Sequence, residues 1–140
     1  MRSGLVVSRH GACTLAWPVP AQTFRDLVVW QQSMHLVSEV YEVCATFPTE
    51  ERFVLAAQLK RAAISVASNI GEGARRKRRR VFRYHLEVAL GSQAEIEVQA
   101  EIARQMGFID ETRYGNLRRR IDLVGRLLNR LLDSLQDPPN

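Results

Sequence analysis

Between residues 114 and 135 the apolar side chains recur as Tyr114, Leu117, Ile121, Val124, Leu128, Leu131 and Leu135, in steps of 3, 4, 3, 4, 3 and 4. That spacing tracks the 3.6-residue turn of an α-helix and puts all seven on one face. A strand would alternate at every second residue, and no strand signal of any weight occurs in the chain. Asp137-Pro138-Pro139 ends the pattern, since proline lacks the amide a continuing helix needs. Asp110 stands where it can cap the start. A helix this long with one apolar stripe must pack that stripe against something.

The same period occurs three more times upstream. Leu27, Trp30, Met34, Val37, Tyr41 and Cys44 form a first seam, with Thr23 as candidate cap and Asp26 as its partner, ending at Phe47-Pro48. A second segment opens at Thr49, carries Leu59, Ala63, Val66 and Ile70, and is expected to stop near Gly71 and Gly73. A third carries Phe82, Leu86, Ala89, Ile96, Ala103 and Met106 as far as Gly107. Four amphipathic helices with short connections predict an all-α, antiparallel up-down four-helix bundle over residues 23–136, with residues 137–140 as a tail. The last seam is widened by Leu123, Leu127 and Leu132, which suggests a second contact surface and self-association; coverage of the bundle edge is the alternative. Residues 1–22 read as a poorly ordered extension or an overlong start. Arg9, His10, Pro18 and Pro20 interrupt what would otherwise resemble a weak export signal.

Enzyme chemistry finds little support. A di-metal bundle needs paired Glu-x-x-His motifs, and neither His35 nor His85 has a glutamate three residues before it. Ser65 and Ser92 have no evident His and acid partners, and the Gly-x-Gly of residues 71–73 follows a helix instead of a strand. Cys13 and Cys44 form no metal-ligand spacing with the three histidines, so neither metal nor cofactor is expected. Two cysteines without a framework suit a reducing cytoplasm, and no run approaches a membrane span.

Two polar features remain. Gln58, Arg61, Ser65, Asn69 and Glu72 share one face of the second segment, spaced 3, 4, 4 and 3. They form either an internal hydrogen-bonded network or a ligand surface, and the first is favoured because half-buried polar groups usually satisfy one another. The second feature is the basic run Arg75, Arg76, Lys77, Arg78, Arg79 and Arg80, followed by Arg83. It accounts for the whole basic surplus: the formal charge is +5, and the other 13 lysines and arginines are outnumbered by the 15 acids. Cations at the start of a third helix oppose its dipole, so an external anion such as phosphate would explain their presence. A solvated joint is the alternative.

The segment QLKRAAISVASNIGEG (58–73) resembles the Gln-x-x-Arg-Ala-x-x-Ser-x-x-x-Asn-Ile-x-Glu-Gly signature of the 23S ribosomal RNA intervening-sequence proteins. FRDLVVWQ (24–31), FPTEERFVLAAQ (47–58) and FRYHLEVALGSQAEIE (82–97) extend the likeness in the correct order. Val54 and Gly71 depart from the usual Gly and Ala, and the basic run is denser than usual. The resemblance implies an up-down bundle assembled as a ring-like homopentamer, and similarity to the accessory protein of diversity-generating retroelements, which binds a reverse transcriptase and nucleic acid. It marks Gln58, Arg61, Ser65, Asn69, Glu72, Ser92 and Glu95 as motif positions and brings no catalytic role. The expectation is a non-enzymatic oligomeric bundle that binds RNA or DNA with low specificity through residues 75–83. The alternative is a protein-interaction scaffold, using the polar stripe or the acidic face Glu95, Glu97 and Glu101, with a partner such as a reverse transcriptase.

Overall fold

The computed structural model describes residues 5–7, 13–15, 23–137 and 139. Four helices dominate: α1 (Val28–Cys44), α2 (Leu55–Arg75), α3 (Arg79–Gln105) and α4 (Glu111–Ser134). Each packs on its neighbour in the chain and α4 closes back on α1, so the bundle is up-down with its core at the centre. Single 3₁₀ turns at Phe24–Asp26 and Thr49–Glu51 lead into α1 and α2. Two three-residue strands, β1 (Leu5–Val7) and β2 (Cys13–Leu15), pair antiparallel with Leu5 opposite Leu15, and β2 runs beside α4. The sequence predicted no strand. Runs of three residues are too short for alternation to register, although branched and apolar side chains suit them. The expectation of poor order over residues 1–22 otherwise lies outside the described residues.

The seams of α2, α3 and α4 are buried much as their spacing predicts: Leu59, Ala63, Val66 and Ile70 meet Phe82, Leu86, Ala89 and Ile96, and Leu117, Ile121, Val124 and Leu128 complete the core. Helix α1 differs. Its buried stripe is Val29, Ser33, Leu36, Val40 and Val43, while Met34 and Tyr41 of the predicted seam are exposed. Two stripes of equal period lie side by side on this helix, and Ser33 in the middle of the true one disguises it. Its hydroxyl is satisfied locally, donating to the Trp30 carbonyl at 2.6 Å, so burial costs little. Cys44 is shared by both stripes; burial pushes its thiol up to about 11, which leaves it an inert core group. Leu123, Leu127 and Leu132 are half-buried at the bundle edge. The exposed large apolar side chains lie elsewhere, among them Met34, Ile64, Val98, Ile102 and Met106; Met106, the last residue of the predicted third seam, lies just past the end of α3 and is exposed.

The helix ends obey local chemistry at one site and tertiary packing at others. Asp110 caps α4, accepting from the Arg113 amide at 2.7 Å. Gly107, at φ 73°, ends α3 with the paired bonds Phe108 N to Ala103 O and Gly107 N to Arg104 O. Neither threonine caps a helix: Thr23 precedes the 3₁₀ turn at Phe24–Asp26 and makes no side-chain cap, and Thr49 is itself the first residue of the turn at Thr49–Glu51, ahead of α2. Gly71 and Gly73 do not stop α2, which runs on to Arg75. A Cβ on Gly73 would lie 2.6 Å from the His85 Cβ and 3.0 Å from Phe82, so this glycine is a packing residue that lets α3 approach.

Gly91, by contrast, has nothing within 4 Å of a built Cβ and plays no part in close approach. Gly73→Ala is therefore expected to destabilise the fold by about 1–3 kcal/mol. Gly91→Ala should stabilise it by about 0.5–1 kcal/mol by removing a helical glycine. Urea midpoints of the two variants should move in opposite directions from that of the parent.

Candidate nucleic-acid interface

The reversal from α2 to α3 is short. Arg76 remains helical, Lys77 adopts φ 52°, Arg78 is extended at φ −127° and ψ 118°, and α3 begins at Arg79. Among the described residues Lys77 is the one non-glycine with positive φ. Glycine would be the low-strain choice there, yet the position carries a cation. The basic run thus wraps a tight turn at one end of the bundle.

Its seven members divide by environment. Arg75, Arg76, Lys77, Arg78 and Arg80 are exposed, while Arg79 and Arg83 are half-buried. Arg76 pairs with Glu72 at 3.1 Å on the same helix. The Nε of Arg79 donates to the Leu135 carbonyl at 2.8 Å, and another of its guanidinium nitrogens donates to Gln136, so this cation closes the negative end of α4. The Nε of Arg83 is buried without a hydrogen-bond partner among the described residues. Arg75, Lys77, Arg78 and Arg80 have no ion pair there either. The first turn of α3 contains no acid and no side-chain cap. Its free amides add to the positive potential of the surrounding guanidinium groups.

The polar stripe proves half network and half open surface. Ser65 and the buried Ser92 share a hydrogen bond of 2.8 Å across the α2–α3 contact. The Asn69 amide donates to the Ser65 carbonyl at 2.9 Å, and its oxygen lies 3.0 Å from Nδ1 of His85. Gln58 accepts from Gln99 at 3.4 Å. Glu72 turns away to Arg76. Arg61 and Glu95 are exposed, lining a groove of about 330 Å³ with no ion pair between them. The sequence led us to expect Arg61 in a buried network, where its loss would cost about 3–5 kcal/mol; its exposure removes that penalty.

Sequence reasoning missed Gln93, which is buried and donates to the Ile121 carbonyl at 3.1 Å. Gly125 makes room for it, since a Cβ there would lie 2.8 Å from the Gln93 amide nitrogen. The available signal was an isolated glycine inside a leucine-rich helix. Nor does the acidic face of α3 stand free as a unit. Glu97 lies 3.9 Å from Arg118, and Glu101 accepts from Arg104, from Gln105 at 3.1 Å and from the Tyr114 hydroxyl at 2.6 Å. Those three donors, Arg104 foremost, hold the Glu101 carboxyl down at about 2. Among the described residues no cluster of His, Cys, Asp and Glu could hold a metal, and no helix is long and apolar enough to cross a membrane.

The family profile of the 23S rRNA-intervening sequence protein matches residues 25–130, the whole of the bundle except the last turn of α4. A crystal structure from Bacteroides thetaiotaomicron, described as a protein with unknown function from the S23 ribosomal protein family, superposes with a TM-score of 0.71. It is 22% identical, and the match covers 76% of this chain and 96% of that one, a likeness of fold alone. No curated protein matches the chain.

Three expectations follow from these contacts. Arg61→Ala should change stability by less than about 0.5 kcal/mol. Asn69→Ala, which strips His85 and Ser65 of a shared partner, should cost about 1–3 kcal/mol. Glu101 is held below its unfolded value of 4.5, so its contribution is present above that pH and is lost as pH falls toward 2. Melting temperature followed from about pH 5 to about pH 2 should fall less steeply in Tyr114→Phe than in the parent, because the phenol no longer favours the carboxylate.

Proposed function

Because this chain belongs to the 23S rRNA-intervening sequence protein family, which brings no catalytic assignment, we propose from its own chemistry that it is a non-enzymatic nucleic-acid-binding bundle. One observation carries this reading. Arg75, Lys77, Arg78 and Arg80 project from the α2–α3 turn without acidic partners among the described residues, around an uncapped helix start. Charge held in this way attracts a polyanion, and phosphate contacts of this kind carry no base information, so specificity is low. The protein acts in the cytoplasm as a homo-oligomer, a pentamer by family resemblance, and several turns on one ring raise avidity through effective concentration. A second reading, docking to a protein such as a reverse transcriptase, is favoured by the exposed row Val98, Ile102 and Met106 on the outer face of α3.

The test replaces Arg75, Lys77, Arg78 and Arg80 with Gln and leaves Arg79 in place, since it closes α4. Binding of mixed-sequence RNA and duplex DNA is measured across a salt series. The parent should show a log–log slope near −0.9 for each of about 3–4 phosphates on the duplex, and the variant should lose most of its affinity. Equal binding by the two proteins would remove the turn as the contact. Sedimentation at micromolar concentration checks the assembly, where a stable 15.9 kDa monomer would remove the ring.

A further inference from the structure

A groove of about 710 Å³ lies immediately beside the basic turn, between the start of α1 and the last turns of α2. Phe24, Trp30 and Met34 line one side; Ser68, Gly71 and Arg75 line the other, with Glu72 and Arg76 at the rim. Trp30 is half-buried and meets Phe24 edge-on at 5.1 Å, while the Arg25 guanidinium sits 4.9 Å above the Phe24 ring. One face of Phe24 is therefore taken by a cation, and Trp30, partly buried against the core, is the other aromatic ring that lines the groove. The wall of α2 is low here because Ala67, Ser68 and Gly71 are small.

We propose that this groove takes an unpaired base of a single nucleic-acid strand, stacked on Trp30, with Arg75 on a flanking phosphate. The inference rests on the polyanion reading above and narrows it to strands whose bases are free. An aromatic plane beside guanidinium groups matches both parts of a nucleotide, the flat apolar base and the charged backbone. A duplex keeps its bases stacked inside, so it can use the cations and not the groove. Charge also argues against an apolar peptide as occupant: of the charged residues lining the groove, Glu72 is answered by Arg76 and Arg75 is left over.

The experiment compares short oligoadenylates of about a dozen residues, as RNA and as DNA, with the duplex of the same DNA strand. Trp30→Leu keeps apolar volume and deletes the ring; Trp30→Phe restores a ring; Ser68→Leu fills the groove from an exposed position and covers the case in which Trp30→Leu does not fold. The leucine variants should bind both single strands about ten-fold more weakly, with duplex affinity and salt slope unchanged, and Trp30→Phe should recover most of the loss. Unchanged single-strand affinity in Ser68→Leu and Trp30→Leu, with duplex still bound in a salt-dependent way, overturns the groove and leaves the basic turn standing. Failure of the parent protein to bind any probe overturns both. A change in sedimentation instead of affinity would assign the groove to a second copy of the chain and also overturns the proposal.

Discussion

The close approach of α2 and α3 governs the rest of this molecule. Gly73 gives its place to His85 and Phe82, Ala63 and Ala89 are fully buried, and Ser65 and Ser92 touch through their hydroxyls. Small residues at a helix contact bring the axes toward the lower end of the usual 8–10 Å. Since the contact persists into the last turn of α2, only residues 76–78 are left to reverse the chain. A reversal that tight needs a left-handed residue, and Lys77 supplies it at φ 52°. With the interior filled by Phe82, the flanking side chains have nowhere to go but outward. The exposure of the basic run is thus a consequence of packing elsewhere.

That exposure has an electrostatic cost. Cations in the first turn of a helix oppose its dipole by roughly 0.3–1 kcal/mol each when solvated. Arg78, Arg79 and Arg80 occupy this region of α3, and no acid answers them there. Arg79 recovers its share by donating to the carbonyls at the end of α4, where a cation is favoured. What remains is on the order of 1 kcal/mol, small beside the 5–15 kcal/mol of a typical domain. The bundle tolerates it because most of its stability lies in the apolar core. A cost of that size is consistent with a turn retained for what it binds, and the opposite sign at Arg79 shows that the seven basic residues are not equivalent.

Much of this was legible in the sequence, and the failures share a cause. Helix number, order and three of four buried faces follow from apolar spacing, because Leu, Ile and Val in α2, α3 and α4 leave one stripe to choose. On α1 two stripes compete, and the one that wins contains a serine that satisfies itself. The glycines at 71 and 73 carry a stop signal in isolation, but α2 runs past both, and the role of Gly73 is set by His85 and Phe82, which come from another helix. The polar stripe was visible as a stripe, yet spacing cannot say that Arg61 lies on its solvent side while Ser65 turns inward. Gln93 was hidden because its partner is a backbone carbonyl on another helix. Periodicity reads a helix's own face; it is silent on what the neighbour brings.

The continuation of α2 past its glycines is also what joins the two halves of the proposed site. Gly71 faces Phe24, with ring atoms 3.4–3.6 Å from where a Cβ would stand. Arg75 is four residues on and so lies on the same helical face, about one 5.4 Å turn further toward the bundle end. Ser68 is one turn in the other direction. A helix ending at Gly71 would leave the aromatic groove without its cation and the cations without a fixed bearing. Because α2 remains helical through Arg75, one face presents in succession a polar residue, a gap, and a guanidinium, opposite an indole. Trp30, half-buried against the core, and the exposed Met34, both members of the seam that the spacing predicts on α1, are then the other wall of that groove. These side chains keep the helical period of a buried seam without being fully buried, as a surface shaped to receive a flat apolar group requires.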